Sequence, residues 1–241
     1  MEAVNNVSSI KKWFNTVWST IFPNVKKIAI VGMKGSGKST LWKGLGGKGD
    51  KEVSANTGQE TIHEFKYKKQ DGTIVTIAST KDIGGENDYV CIYDELITED
   101  CLIFYLADTN GIFDDPPVPS PPDMPLVYSD RVRSDLTKID KCLNNKSEDK
   151  FRIEVLLTHF GSFQKKHPDI TEEEVKSLFY KKIQTLKSSG PVGTLIQEKN
   201  LPVRVIELTK NPRRRPTTQA KIDTKQINLI KEEIGLSKRK K

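Results

Sequence analysis

The chain has 241 residues, 35% of them hydrophobic and 29% charged, with a formal net charge of +7. That length suits one ordinary domain with additions or two small ones, and it suffices to bury a sizeable core. Composition excludes several classes: no run approaches the ~20 apolar residues of a membrane span, and no short apolar segment ends in a secretory cleavage site. Cys91, Cys101 and Cys142 are widely separated within apolar or helical patterns, which argues against a disulfide framework or a metal knuckle and for a reducing, cytoplasmic setting.

In chain order, the first feature is a stripe of Val4, Val7, Ile10, Phe14, Val17, Trp18 and Ile21 at three- and four-residue steps, stopped by Pro23. This predicts an amphipathic helix over 1–24 preceding the main domain. Trp13 and Phe22 widen its apolar face, and Lys11 and Lys12 flank it, as at a lipid surface. Residues 4–22 therefore have three open uses: a peripheral membrane contact, a partner's groove, or packing onto the chain's own domain. Glu2 stands where N-myristoylation needs glycine, so membrane binding is expected to rest on the helix alone.

The apolar run Ile28-Ala29-Ile30-Val31 predicts a strand, and Gly32-Met33-Lys34-Gly35-Ser36-Gly37-Lys38-Ser39 follows it at once, with a helical pattern from Thr40. Strand, glycine-rich loop and helix in that order form a phosphate-binding loop. Glycines let backbone N–H groups wrap around a β-phosphate at the start of a helix. Lys38 supplies a positive charge to the β- and γ-phosphates, Ser39 offers a hydroxyl to Mg2+, and Lys34, Gly35, Ser36, Gly37 and Thr40 complete the set expected around the anion. A nucleoside triphosphate is the implied ligand.

After a polar stretch at 46–58, alternation of His63, Phe65 and Tyr67 against Glu64, Lys66 and Lys68 predicts a strand with one wet face, paired as a hairpin (62–68 with 73–79) through a turn at Gln70-Asp71-Gly72. It ends in Asp82-Ile83-Gly84-Gly85. An aspartate leaving a strand can hold Mg2+ through a water, and Gly85 can offer its N–H to a γ-phosphate. A short helix is expected over 89–97. Cys101 to Ala107, apolar throughout, reads as a buried strand. Six prolines between Asp114 and Pro125 deny that segment helix and central pairing and predict a surface loop. A helix bearing Val132, Leu136, Ile139 and Leu143 follows. Then come a strand at 153–157, a helix at 172–186, a strand at 203–208 and a helix at 221–234. The sum is an α/β domain over 25–236: a six-stranded, mostly parallel sheet with one antiparallel hairpin strand and helices on both faces. A basic tail, 237–241, ends the chain.

Arg213-Arg214-Arg215 and Lys238-Arg239-Lys240-Lys241 concentrate the positive charge late in the chain. Such clusters suit anionic surfaces, but no aromatics interleave them, so no specific nucleic-acid site is expected.

The phosphate loop, Asp82-Ile83-Gly84-Gly85, the strand ending in Asp108 and the leading amphipathic helix together resemble the Ras-like small GTPases, nearest the ADP-ribosylation factor-like (Arf-like) branch, whose second switch reads Asp-Val-Gly-Gly-Gln. The resemblance implies a switch that binds GTP or GDP with Mg2+, hydrolyses GTP and signals to protein effectors and regulators. It implies a metal-binding threonine in the first switch, either Thr57 or Thr61, with Thr57 matching the spacing to the following strand. This chain departs from the family at three places. Glu86 replaces the water-orienting glutamine, and an ionised carboxylate beside a γ-phosphate predicts slow hydrolysis, so Lys38 and Glu86 are the catalytic candidates. Lys34 stands where many members have a small or acidic residue, and points to solvent or to the γ-phosphate. Thr158-His159-Phe160-Gly161 replaces Asn-Lys-x-Asp, whose aspartate accepts two hydrogen bonds from guanine. His159 then remains to stack on or bond to the base. Thr209 and Lys210, where the family has Ser-Ala-Lys, are expected to flank it. Two other functions stay open: an interaction module that binds nucleotide without hydrolysing it, and a phosphotransferase with Arg213, Arg214 and Arg215 as lid arginines.

Overall fold

The computed structural model describes residues 25–46, 60–68, 72–84, 92–98, 100–118, 126–144, 151–186, 190–210 and 221–236. Six strands form the main sheet: β1 (Val25–Gly32), β3 (Phe65–Lys68), β4 (Ile74–Ile77), β6 (Cys101–Asp108), β9 (Phe151–Thr158) and β10 (Val203–Val205). Their order is β10-β9-β6-β1-β4-β3. All neighbours run parallel except β3, which pairs antiparallel with β4 at one edge. The expected α/β sheet with one antiparallel strand is therefore observed.

Side-chain alternation on the buried strands divides the core in two. Ile28, Ile30, Leu102, Phe104 and Leu106 face α1 (Lys38–Leu45) and the last helix, α8 (Thr224–Leu236), with Leu41, Trp42, Ile227 and Ile230 filling that layer. Ala29, Val31, Ile103, Tyr105, Val155 and Leu157 face the opposite layer. That layer is built from α2 (Tyr93–Leu96), α4 (Tyr128–Leu143), α5 (Phe160–Lys166), α6 (Glu172–Ile183) and α7 (Pro191–Gln197), with α3 (Thr109–Asp114) leading from β6. Helices thus cover both faces, and the carboxyl ends of β1, β6 and β9 come together at one edge, where open α/β sheets take their ligands.

Several boundaries differ from the sequence reading. The expected hairpin is observed as β3 against β4, and it runs on beyond them: β2 (Glu60–Ile62) pairs antiparallel with β5 (Thr80–Asp82) in the same register, as a two-stranded ribbon past the main sheet. The proline segment is pinned at its base rather than being loop throughout. β7 (Pro117–Val118) pairs with β8 (Leu126–Val127), and residues 119–125 lie outside the described set. A two-residue ribbon tolerates Pro117 because few donors are needed there. The strand expected at 203–208 stops at Val205, and β11 (Thr209–Lys210) pairs instead with β12 (Lys221–Ile222), where helix was expected. Of the helix expected over 89–97, α2 is seen at Tyr93–Leu96, and residues 89–91 lie outside the described set.

Three short helices escaped the periodic pattern. The buried carboxylate of Asp140 accepts from the backbone N–H of Gly190, Val192 and Gly193 at 3.1, 2.6 and 3.3 Å, which caps α7 from the neighbouring helix. Asp108 caps α3 by accepting from Asn110 N–H at 2.8 Å. His159, in the left-handed region at φ 61°, turns the chain from β9 into α5. Among the described residues no helix is long and apolar enough to cross a membrane.

Candidate phosphate and base site

β1 lies mid-sheet between β6 and β4, so its carboxyl end opens at the centre of the edge. There the chain turns on glycines at φ 137°, 75° and 93°: Gly32, Gly35 and Gly37. At Gly32 a Cβ would stand 2.1 Å from the carbonyl oxygen of Leu106 on the adjacent strand, so both backbone angle and neighbour demand glycine. Gly37 is the N-cap of α1; a Cβ there would sit 2.8 Å from Leu208 Cδ1, because the segment after β10 packs on the loop.

The amino end of α1 has no side-chain cap and no acidic residue in its first turn. By contrast, α6 satisfies its own first turn with Thr171 and Glu174. The positive end of the α1 dipole therefore meets no acidic side chain of its own first turn, and it favours an anionic ligand.

Lys38 folds back over the loop, its Nζ donating to Met33 O at 2.8 Å and Gly32 O at 3.1 Å. It is only 6% exposed. Burial pulls its ammonium down from 10.5 to about 8, against the opposing fields of Asp82 and Asp135, with Arg131 adding to the depression. A desolvated cation at the mouth of an uncapped loop gains what it lost when a polyphosphate arrives.

The remaining loop residues divide by direction. Ser36 is buried, and its Oγ donates to Met33 O at 2.8 Å, so its hydroxyl stays within the fold. Lys34 is exposed and Ser39 half-buried at the second position of α1; Thr40 is buried one residue on. Asp82, 2% exposed, ends β5. Mg2+ binds few protein ligands and keeps waters and phosphate oxygens for the rest. One hydroxyl at the start of α1 and one buried carboxylate supplying the largest opposite charge felt by Lys38 fit that habit. Among the described residues no cluster of three or more His, Cys, Asp or Glu forms an all-protein metal cage.

At the end of β9, Thr158 and His159 tie the turn into α5 to the loop. Thr158, fully buried, donates its Oγ1 proton towards Ser36 O at 2.9 Å and Ala107 O at 3.2 Å. Thr109 Oγ1 in turn donates to Thr158 O at 2.7 Å. His159 Nε2 lies 2.9 Å from Gly35 O; a carbonyl only accepts, so Nε2 carries the proton. The imidazole expected to meet the base is thus bonded to the phosphate loop. Gly161 N–H donates to Glu207 Oε2 at 2.7 Å. The backbones of Thr209 and Lys210 form β11, and their side chains lie outside the described residues, as do Thr57, Gly85, Glu86, the 1–24 segment, Arg213 to Arg215 and the 237–241 tail. Thr61 is exposed in β2.

Sequence reasoning missed the ion pair below the lysine. Arg131 Nε and Asp135 Oδ1 are 2.8 Å apart on α4, both nearly buried, and Tyr105 OH donates to Asp135 Oδ2 at 3.1 Å. Burial raises the Asp135 carboxyl despite Arg131 and Tyr105. Its signal was an Arg-Asp pair at i, i+4 beside the core residues Val132 and Leu136. Thr158 was read only as part of a degenerate motif, and Glu207 was not read at all. Searches with protein-family models and against curated proteins find no match to this chain.

Proposed function

We propose that this protein is a nucleotide-dependent switch of the small-GTPase kind, binding GTP or GDP with Mg2+ and hydrolysing GTP slowly. The observation that carries this reading is the conformation of residues 32–38: three glycines at positive φ lead into an uncapped helix, with a buried ammonium held over the loop. In this reading N–H groups of the loop and of α1 bind the β-phosphate, and Lys38 exchanges carbonyl partners for phosphate oxygens. Ser39 and Asp82 hold Mg2+, which offsets phosphate charge when bound. Thr57, Gly85 and Glu86 complete the sequence-based assignment, with Glu86 accounting for slow turnover. Triphosphate then orders the segments bearing Thr57 and Gly85, and its hydrolysis releases them for effectors to read.

A switch differs from a passive nucleotide-binding module in having two states. Limited trypsin digestion with GDP and with a non-hydrolysable GTP analogue, each with Mg2+, should give different cleavage rates at Lys48 and Lys51, within residues 47–59, and at Lys81, just before Asp82. Identical patterns with both nucleotides bound would replace the switch by the interaction module.

A further inference from the structure

Resting on the nucleotide reading above, we infer that Glu207 is the base-reading carboxylate of this site, supplied from the turn after β10 to replace the acidic side chain that Gly161 lacks. Position 161 is where the resemblance places a guanine-reading aspartate. Glycine has no group to offer, yet the space is filled. A Cβ built on Gly161 would lie 2.8 Å from Glu207 Oε2, 3.5 Å from its Cδ and 3.7 Å from its Cγ. The glutamate carboxylate therefore occupies the position a side chain on residue 161 would take, and its Oε2 is fixed there by the Gly161 N–H at 2.7 Å.

The neighbours of both residues lie against the phosphate loop, which places this carboxylate close to it. Leu208, next in the chain, packs on the phosphate loop at Gly37, and His159, two residues before Gly161, bonds to Gly35 O. Ile206 N–H donates to Leu157 O at 2.8 Å, which holds the turn after β10 against the end of β9. Glycine at 161 and glutamate at 207 are thus a matched pair: any larger residue at 161 would displace the carboxylate.

The chemistry selects the base. A carboxylate only accepts, and guanine presents two adjacent donors, N1–H and the 2-amino group. Adenine presents a bare N1 at the corresponding edge, which repels an acceptor, and xanthine presents O2 in place of the amino group. Guanine is the purine this arrangement takes.

The test uses the full chain and equilibrium titration of fluorescently labelled GDP, XDP and ADP with Mg2+. Wild type should prefer GDP over both others by at least about a hundredfold. Glu207→Gln, whose amide can donate to xanthine O2, should lower the GDP:XDP preference by about a hundredfold or more while XDP binds at least as tightly as to wild type. Glu207→Ala should bind GDP no better than ADP, and adding Gly161→Asp to it should restore the guanine preference. If Glu207 merely caps α5, both single variants change the melting temperature and leave the base ratios at wild-type values, which overturns the inference. Equal wild-type affinity for GDP and ADP also overturns it while leaving the phosphate site standing. Failure of all three diphosphates to bind removes both readings together.

Discussion

Replacing Lys38 by methionine keeps most of the side-chain stem and removes the charge, so it separates the two things this residue does. In the fold without ligand the ammonium is held at a cost. Its depression from 10.5 to about 8 corresponds to about 3 kcal/mol at neutral pH, set against two hydrogen bonds to Met33 O and Gly32 O. Lys38→Met should therefore leave the ligand-free protein as stable as wild type to within about 1 kcal/mol, or more stable. Binding should respond in the opposite sense. Loss of one charge-assisted contact to phosphate costs about 1.5–3 kcal/mol, or roughly 10- to 150-fold in triphosphate affinity. Thermal denaturation without ligand and calorimetric titration with Mg2+ and GTP measure the two halves. Unchanged affinity, or a collapse of stability with affinity intact, would make Lys38 a structural plug and refute the reasoning.

Other consequences follow from the same contacts. Thr158→Val removes the shared donor to Ser36 O and Ala107 O, and should cost about 1–3 kcal/mol in urea denaturation and weaken nucleotide binding, because the loop loses its tie to β9. Asp140→Ala uncaps α7, leaving three N–H groups without their carboxylate; it should cost about 2–4 kcal/mol in the same assay with nucleotide affinity unchanged. Asp115 supplies an acid-side test. Burial pushes its carboxyl up, but hydrogen bonds from Lys182 and from the Ser129 backbone and hydroxyl outweigh burial and hold it below 3.8. A lowered folded value means that its stabilisation is complete above the unfolded value near 4 and fades as pH falls through the lower folded one. Asp115→Asn should thus cost about 1 kcal/mol at pH 7 and almost nothing near pH 2; a difference independent of pH would contradict the assignment.

What could be read locally was legible. β6 announced itself because both of its faces are buried, leaving an unbroken apolar run, and α4 because one face meets the core at helical spacing. The strand, turn and helix around Gly32 to Ser39 were legible because an apolar run is followed by three closely spaced glycines and then by helical spacing. What stayed hidden depends on partners distant in sequence. α7 is set by Asp140, fifty residues before Gly190, and no periodicity in seven residues reports that cap. Gly161 looked like the loss of a base reader because its counterpart, Glu207, lies 46 residues away and meets it only when β9 and β10 align.

The central claim is a polyphosphate gripped by loop N–H groups and Lys38 with a divalent cation. Calorimetric titration of the full chain with GTP, GDP and ATP, each with and without Mg2+, tests it most directly. Saturable binding of GTP and GDP, strengthened for GTP by Mg2+ and much weaker for ATP, is the predicted result. No detectable heat or saturation with any of the three, Mg2+ included, would contradict it.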